Sequence, residues 1–238
     1  MPAREAPSGA ARPLPVLFLS CRDGRPATSR AAPLIGRLVE PGLSMQALLF
    51  ITQAQVPGDA ILCARAGSRQ RVEQLVAQLA GEGIHCRVDY QDQAPLGEVA
   101  AELFSSVPEC LELRLSPQLG AERCRQVGQA LSSWREEGML LVCLDQVPAS
   151  SASDRNRPHD PYWRNLMHHW VDQHQWHQAM PGSVRDLLQS SSQDGSGNST
   201  LCLLQTAFGL GGLRLPERLL GFDLDDQQRA LTGYGWMN

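Results

Sequence analysis

Apolar positions fall into two periods along this chain, and the clearest change between them lies at residues 111–144. Leu111, Leu113 and Leu115 alternate with polar residues, as in a half-buried strand. Ser116-Pro117 breaks the run, because Pro cannot donate to a strand ladder and favours a turn. Cys124, Val127, Leu131 and Trp134 then recur at intervals of three and four, one stripe of a helix. Glu136-Glu137-Gly138 ends it, with Gly supplying a left-handed cap. Residues 139–144 are unbroken apolar, the signature of a strand buried on both faces. Strand, helix and buried strand predict a βαβ unit, hence α/β class: a mixed, largely parallel central sheet with helices on both faces.

The same reading extends in both directions. Residues 1–13, rich in Pro, Ala, Arg and Gly, are expected to be disordered, and residues 14–238 to form a single domain. Strands are predicted over 14–20, 45–52 and 84–90, with loops at 21–24, 53–59 and 91–97. Residues 60–64 are apolar but short. Helices are predicted over 31–39, broken by Pro41-Gly42, and over 68–79, closed by Gly81 and Gly83; 98–104 would make a helical turn or two. Beyond the central unit, 146–157 reads as a long loop or lid, 161–180 and 183–189 as helices, and 190–199 as a flexible linker. An apolar helix over 200–210 ends at Gly211-Gly212, and 219–224 with 230–236 make a closing pair of strands. The glycines at 209–212 follow a helix, so they cap it and do not cradle a phosphate.

Composition changes little in this picture. A chain of 238 residues with 42% hydrophobic and 19% charged residues is ordinary for a globular protein. A net charge of −4 argues against a nucleic-acid partner. All 21 basic residues are Arg, scattered along the chain. No apolar run approaches the ~20 residues of a membrane span, and the start lacks a small-residue cleavage site, so a cytoplasmic location is expected. The 7 cysteines, odd in number and without a CxxC pair, read as reduced core thiols.

The order of elements resembles the class III extradiol ring-cleavage dioxygenases, the LigB superfamily, and in particular its DODA-type branch. The resemblance spans residues 14–236. It is carried by the strand-loop LPVLFLSCRDG, the strand ALLFIT, residues 115–142 with Gly128-Gln129-Ala130-Leu131 at the helix centre, Ala207-Phe208-Gly209, and the terminal ALTGYGW. It implies a non-haem Fe(II) or Zn(II) site with positions open to catecholate and O₂, and an acid/base His beside the metal. The matching positions lack those histidines. The first ligand falls on Cys21, after Ser20. The second falls on Ala54, after Thr52-Gln53. The mid-chain Asp-His-Gly falls among Tyr90, Gln91, Asp92 and Gln93. The acid/base falls on Ala149, and the C-terminal Glu-His on Ser199-Thr200. No His occurs in 1–84 or 86–158.

The expectation is therefore a pseudoenzyme with no metal, binding a partner or a small aromatic ligand through a cleft lined by Cys21, Arg22, Gln53, Gln55 and Asp145. A homodimer is one arrangement. A hetero-oligomer with an active paralogue is another, for which the family offers precedent. The alternative is an active Fe or Zn enzyme with a site rebuilt from Cys21, Asp23, Asp145 and a late His. His159, His168, His169, His174 and His177 cluster with Trp163, Trp170 and Trp176. That pattern reads as a solvated or interface helix, with Trp163 and Trp170 packed in the core; a metal site and pH-sensitive packing are the other readings. Cys21 beside Arg22 could be a nucleophile but has no His base near in sequence, and an inert thiol in place of a lost ligand is simpler.

Overall fold

A computed structural model describes residues 13–22, 45–104, 109–147, 196–214, 216–224 and 230–237. One sheet gathers eight strands: β1 (Val16–Arg22), β2 (Ala47–Gln53), β3 (Ala60–Arg65), β4 (Cys86–Gln91), β5 (Cys110–Leu115), β6 (Met139–Val147), β7 (Glu217–Leu224) and β8 (Ala230–Trp236). Their order is β4-β3-β5-β2-β6-β1-β8-β7. β5, β2, β6 and β1 run parallel to one another, and β3 and β4 run parallel as a reversed pair; β3 against β5, β1 against β8 and β7 against β8 are antiparallel.

β6 shows why the sheet is covered twice. Met139, Leu141 and Cys143 enter one core with helices α1 (Arg69–Gly81), α3 (Gly120–Leu131) and α4 (Ser196–Leu210). Leu140, Val142 and Leu144 enter a second core, with α2 (Gly97–Leu103) supplying Val99, Ala100 and Leu103. The unbroken apolar run is what a strand between two cores requires.

The predicted βαβ unit is β5, α3 and β6, with one feature that local periodicity does not specify: β2 lies between its two strands. Cys124, Val127, Leu131 and Trp134 are all buried, and Trp134 sits on a 3₁₀ turn, Ser132–Arg135, that prolongs α3. Gly138, at φ +79°, ends the turn. The Arg135 guanidinium, also buried, donates from Nε to the Leu14 carbonyl at 2.6 Å and reaches the carbonyls of Leu210 and Trp236 at 3.5 and 3.3 Å. It thus joins the entry to β1, the end of α4 and the end of β8. α4 is buried from Cys202 to Leu210, its Gln205 and Thr206 among otherwise apolar residues. It crosses α3 where Gly128 and Gly209 meet backbone to backbone. Gly212, at φ +69°, ends it, and the Leu213 N–H donates to the Phe208 carbonyl at 3.0 Å. This 6→1 bond is a helix C-cap, as the glycine run predicts.

Several boundaries differ from expectation. Cys21 and Arg22 finish β1, Gln53 finishes β2, and Gln146 and Val147 finish β6, instead of lying in loops. Pairing with a neighbouring strand extends each past its apolar run. Residues 60–64 form β3, which pairs on both sides. Residues 196–199 belong to α4 and not to a linker. β4 is exposed along Arg87–Tyr90 instead of alternating in burial, because it is a sheet edge. The expected helices at 31–39, 161–180 and 183–189, the loop from 148 and residues 190–195 lie outside the described residues, as do 1–12.

Candidate functional site

β1, β2 and β6 are parallel neighbours and end at the same edge of the sheet, where open α/β sheets carry their chemistry. Ile51 and Cys143 are register partners in the core beneath α3 and α4. Side chains alternate along a strand, so Gln53 and Asp145, each two residues further on, extend that same face. Asp145 is 3% exposed, and its register partner on β1 is Ser20. The apolar core therefore ends in a polar row, Gln53 to Asp145.

The row abuts sulfur. The Gln53 amide faces the Cys202 thiol of α4 and favours its ionised form. Neither Gln53 amide atom, though fully occluded, makes a hydrogen bond of good geometry among the described residues. A buried amide without partners costs about 1–3 kcal/mol, so Gln53 is a group that packing alone does not explain. Cys124 and Cys202 share a hydrogen bond. That bond, with burial added, holds Cys124 well above its ordinary range, and the same bond draws Cys202 down against the opposing effect of burial. Burial alone pushes the neighbouring Cys143 up. Thr206 Oγ1 donates to the Cys202 carbonyl at 2.9 Å.

The expected cleft residues do not all meet. Cys21 is in register with Gln146 and Arg22 with Val147, so Asp145 pairs with Ser20 and not with Cys21. One residue of offset in a strand changes the face presented. Gln55 is exposed in the loop after β2. Ala54 donates its N–H to the Leu115 carbonyl at 3.2 Å and offers only a methyl group. Thr200 lies in α4, as the helix predicted over 200–210 requires, and Ser199 joins it there. Ala149, Asp23 and the late histidines are outside the described residues. His85 stands before β4, with its Nδ1 3.3 Å from Asp59 Oδ2. Among the described residues, no three His, Cys, Asp or Glu side chains gather as metal ligands. The donors at the positions implied for Fe(II) or Zn(II) do not fit such an ion, since Ala54 has none to give.

Two features were missed by sequence reasoning. Glu112, read as the polar side of an alternating strand, is buried, and it accepts from Thr52 Oγ1 at 2.9 Å and from the Arg114 guanidinium at 2.8 Å. The signal was Glu and Arg at alternate positions of β5, but nothing local says that a second layer covers that face. The other is a cavity of about 920 Å³ lined by Arg65, Ser68, Asp92, Phe104, Glu109 and Cys110. It opens at the ends of β3 and β4, which run opposite to β5, β2, β6 and β1, and so lies at the opposite edge from Gln53 and Asp145. Of the positions matched to the family's site, Gln91 and Asp92 line it, whereas Cys21, Arg22, Gln53, Gln55 and Asp145 do not. The strand ends of β1, β2 and β6 remain the better candidate, because polar groups there are buried against an otherwise apolar core.

No protein-family model matches the chain, and no curated protein sequence does. Among solved structures it is similar to the crystal structure of the uncharacterized protein JW3007 from Escherichia coli K12, at a TM-score of 0.63 and 16% identity, over 93% of this chain and 99% of that one. At that identity, the likeness establishes a shared α/β fold.

Proposed function

We propose that this chain is a non-catalytic member of the class III extradiol dioxygenase fold, of LigB/DODA type, acting as a binding or regulatory subunit. The reading is carried by the end of β2: at the position the resemblance assigns to a metal-binding His stands Ala54, whose methyl group holds no Fe(II), with the Gln53 amide before it. The amide suits a different task. Its N–H₂ donates and its C=O accepts, so Gln53 and Asp145 at the strand ends supply polar groups for adjacent hydroxyls of a small aromatic ligand without activating oxygen. The partner is a second copy or an active paralogue.

The test is to load the purified protein with Fe(II) anaerobically, admit O₂, and follow catechol ring cleavage by absorbance, with metal analysis of the protein as isolated. No turnover and no stoichiometric Fe or Zn are expected. Turnover with one bound ion would overturn the reading in favour of an active enzyme with a site rebuilt from Cys21, Asp23, Asp145 and a late His.

A further inference from the structure

Among the described residues, β4 closes one side of the sheet and pairs with β3 alone. Arg87, Val88, Asp89 and Tyr90 are all exposed, with Val88 at 36% and Tyr90 at 42%. The strand carries no Pro and no Lys, and its pairing with β3 runs without a bulge. Those are common ways of protecting an edge from another strand. The way its backbone faces follows from one bond. The Ala60 N–H donates to the His85 carbonyl at 3.3 Å, and Ala60 is in register with Cys86. In a parallel pair, the residues flanking the register partner make both ladder bonds, so His85, Arg87 and Asp89 turn their backbone groups towards β3. Backbone groups alternate in direction along a strand, so Cys86, Val88 and Tyr90 present theirs outward.

We infer that β4 is a self-association surface: two copies of this chain pair β4 with β4, antiparallel, about a two-fold axis at Val88, joining two sheets into one. In this register Val88 lies opposite Val88 of the second copy, and Cys86 opposite Tyr90. These positions carry the outward N–H and C=O groups and exchange hydrogen bonds. Arg87 then falls opposite Asp89, twice by symmetry, at the narrow pairs where Cα atoms approach to about 4.5 Å. Opposite charges placed directly across a pair of strands stabilise it. Moving the axis by one residue to Arg87 or Asp89 brings Arg87 against Arg87 or Asp89 against Asp89, where like charges repel. The alternation of charge along Arg87–Asp89 therefore selects one register, and an isologous contact of this kind closes as a dimer. A second copy supplies this complement from the same six residues. The contact is narrower than the ~800 Å² per partner of a standard interface, so micromolar dissociation is expected.

Sedimentation velocity on the full chain over roughly 1–300 μM should show monomer passing to dimer. Arg87→Asp and Asp89→Arg should each weaken association by about tenfold or more. Both side chains are exposed, and an unchanged melting temperature serves as the folding control. An equimolar mixture of the two variants should dimerise again, because one copy then carries a carboxylate at both positions and the other a guanidinium at both, and every cross-strand pair again joins opposite charges. A wild-type protein monomeric throughout, single variants that dimerise like wild type, or a mixture that stays monomeric would each overturn the inference.

Discussion

Replacing Gly128 by Ala would probe how closely α3 and α4 must approach. A Cβ there would lie 2.1 Å from the Thr206 carbonyl oxygen, 2.9 Å from the Leu210 nitrogen and 3.0 Å from the Thr206 carbonyl carbon. These are backbone atoms of the facing helix and cannot rotate away. The reciprocal glycine is equally confined: a Cβ on Gly209 would lie 2.3 Å from the Arg125 oxygen and 2.9 Å from the Gln129 nitrogen. The helices would have to part by about 1 Å, and a gap of that size forfeits a quarter to a half of each dispersion contact across the interface. Against this, Ala improves helix propensity by roughly 1 kcal/mol. Overpacking a core typically costs about 1–3 kcal/mol, and a backbone obstacle lies at or above the top of that range. A net loss of about 2–4 kcal/mol is expected, a fall in Tm of roughly 4–16 °C for a chain of this size. Differential scanning calorimetry measures it, with Gly81→Ala as the control, since a Cβ there meets nothing within 4 Å. Because the two glycines share one contact, the double variant should lose less than the sum of the singles. A Gly128→Ala protein as stable as wild type would refute the close crossing of α3 and α4.

Three further outcomes follow from buried polar groups. Arg135→Met leaves the carbonyls of Leu14, Leu210 and Trp236 without their donor and should cost about 2–4 kcal/mol in thermal or urea unfolding; an unchanged midpoint would mean that the three-way contact is idle. Gln53→Leu removes an amide without well-formed hydrogen bonds and should be neutral or stabilising by about 1 kcal/mol, whereas a large loss would show that the amide is engaged. Burial pushes the thiols of Cys63 and Cys86 up to about 11 and Cys110 up to about 12, from an ordinary 9.0. A folded-state value raised in this way favours folding fully below pH ~9, and that contribution is lost as pH climbs through the folded values. Urea midpoints should therefore fall above pH ~9, and Ellman's reagent at pH 8 should spare the buried Cys63, Cys110, Cys124, Cys143 and Cys202 until the protein unfolds; their rapid modification in the native state would contradict the burial.

Residue pattern alone located β6 between two layers, the buried stripe of α3, the apolar α4 with its glycine cap, and the closing strands β7 and β8. Each of these is written in a period of two or 3.6 residues, or in an unbroken run, and depends on neighbours a few positions away. The candidate site was legible only in part: Gln53 and Asp145 do stand on one face at the strand ends, but the pairing of Asp145 with Ser20 in place of Cys21 depends on a register between strands more than a hundred residues apart in sequence. Local period says nothing of which strands become neighbours. The insertion of β2 between β5 and β6, the reversal of β3 and β4, the burial of Glu112 and the exposed edge of Arg87–Tyr90 all follow from long-range pairing and from which faces the helices cover. The tertiary structure decided them because pairing energy is shared across distant segments, whereas the pattern along the chain records only which residues seek burial and with what period.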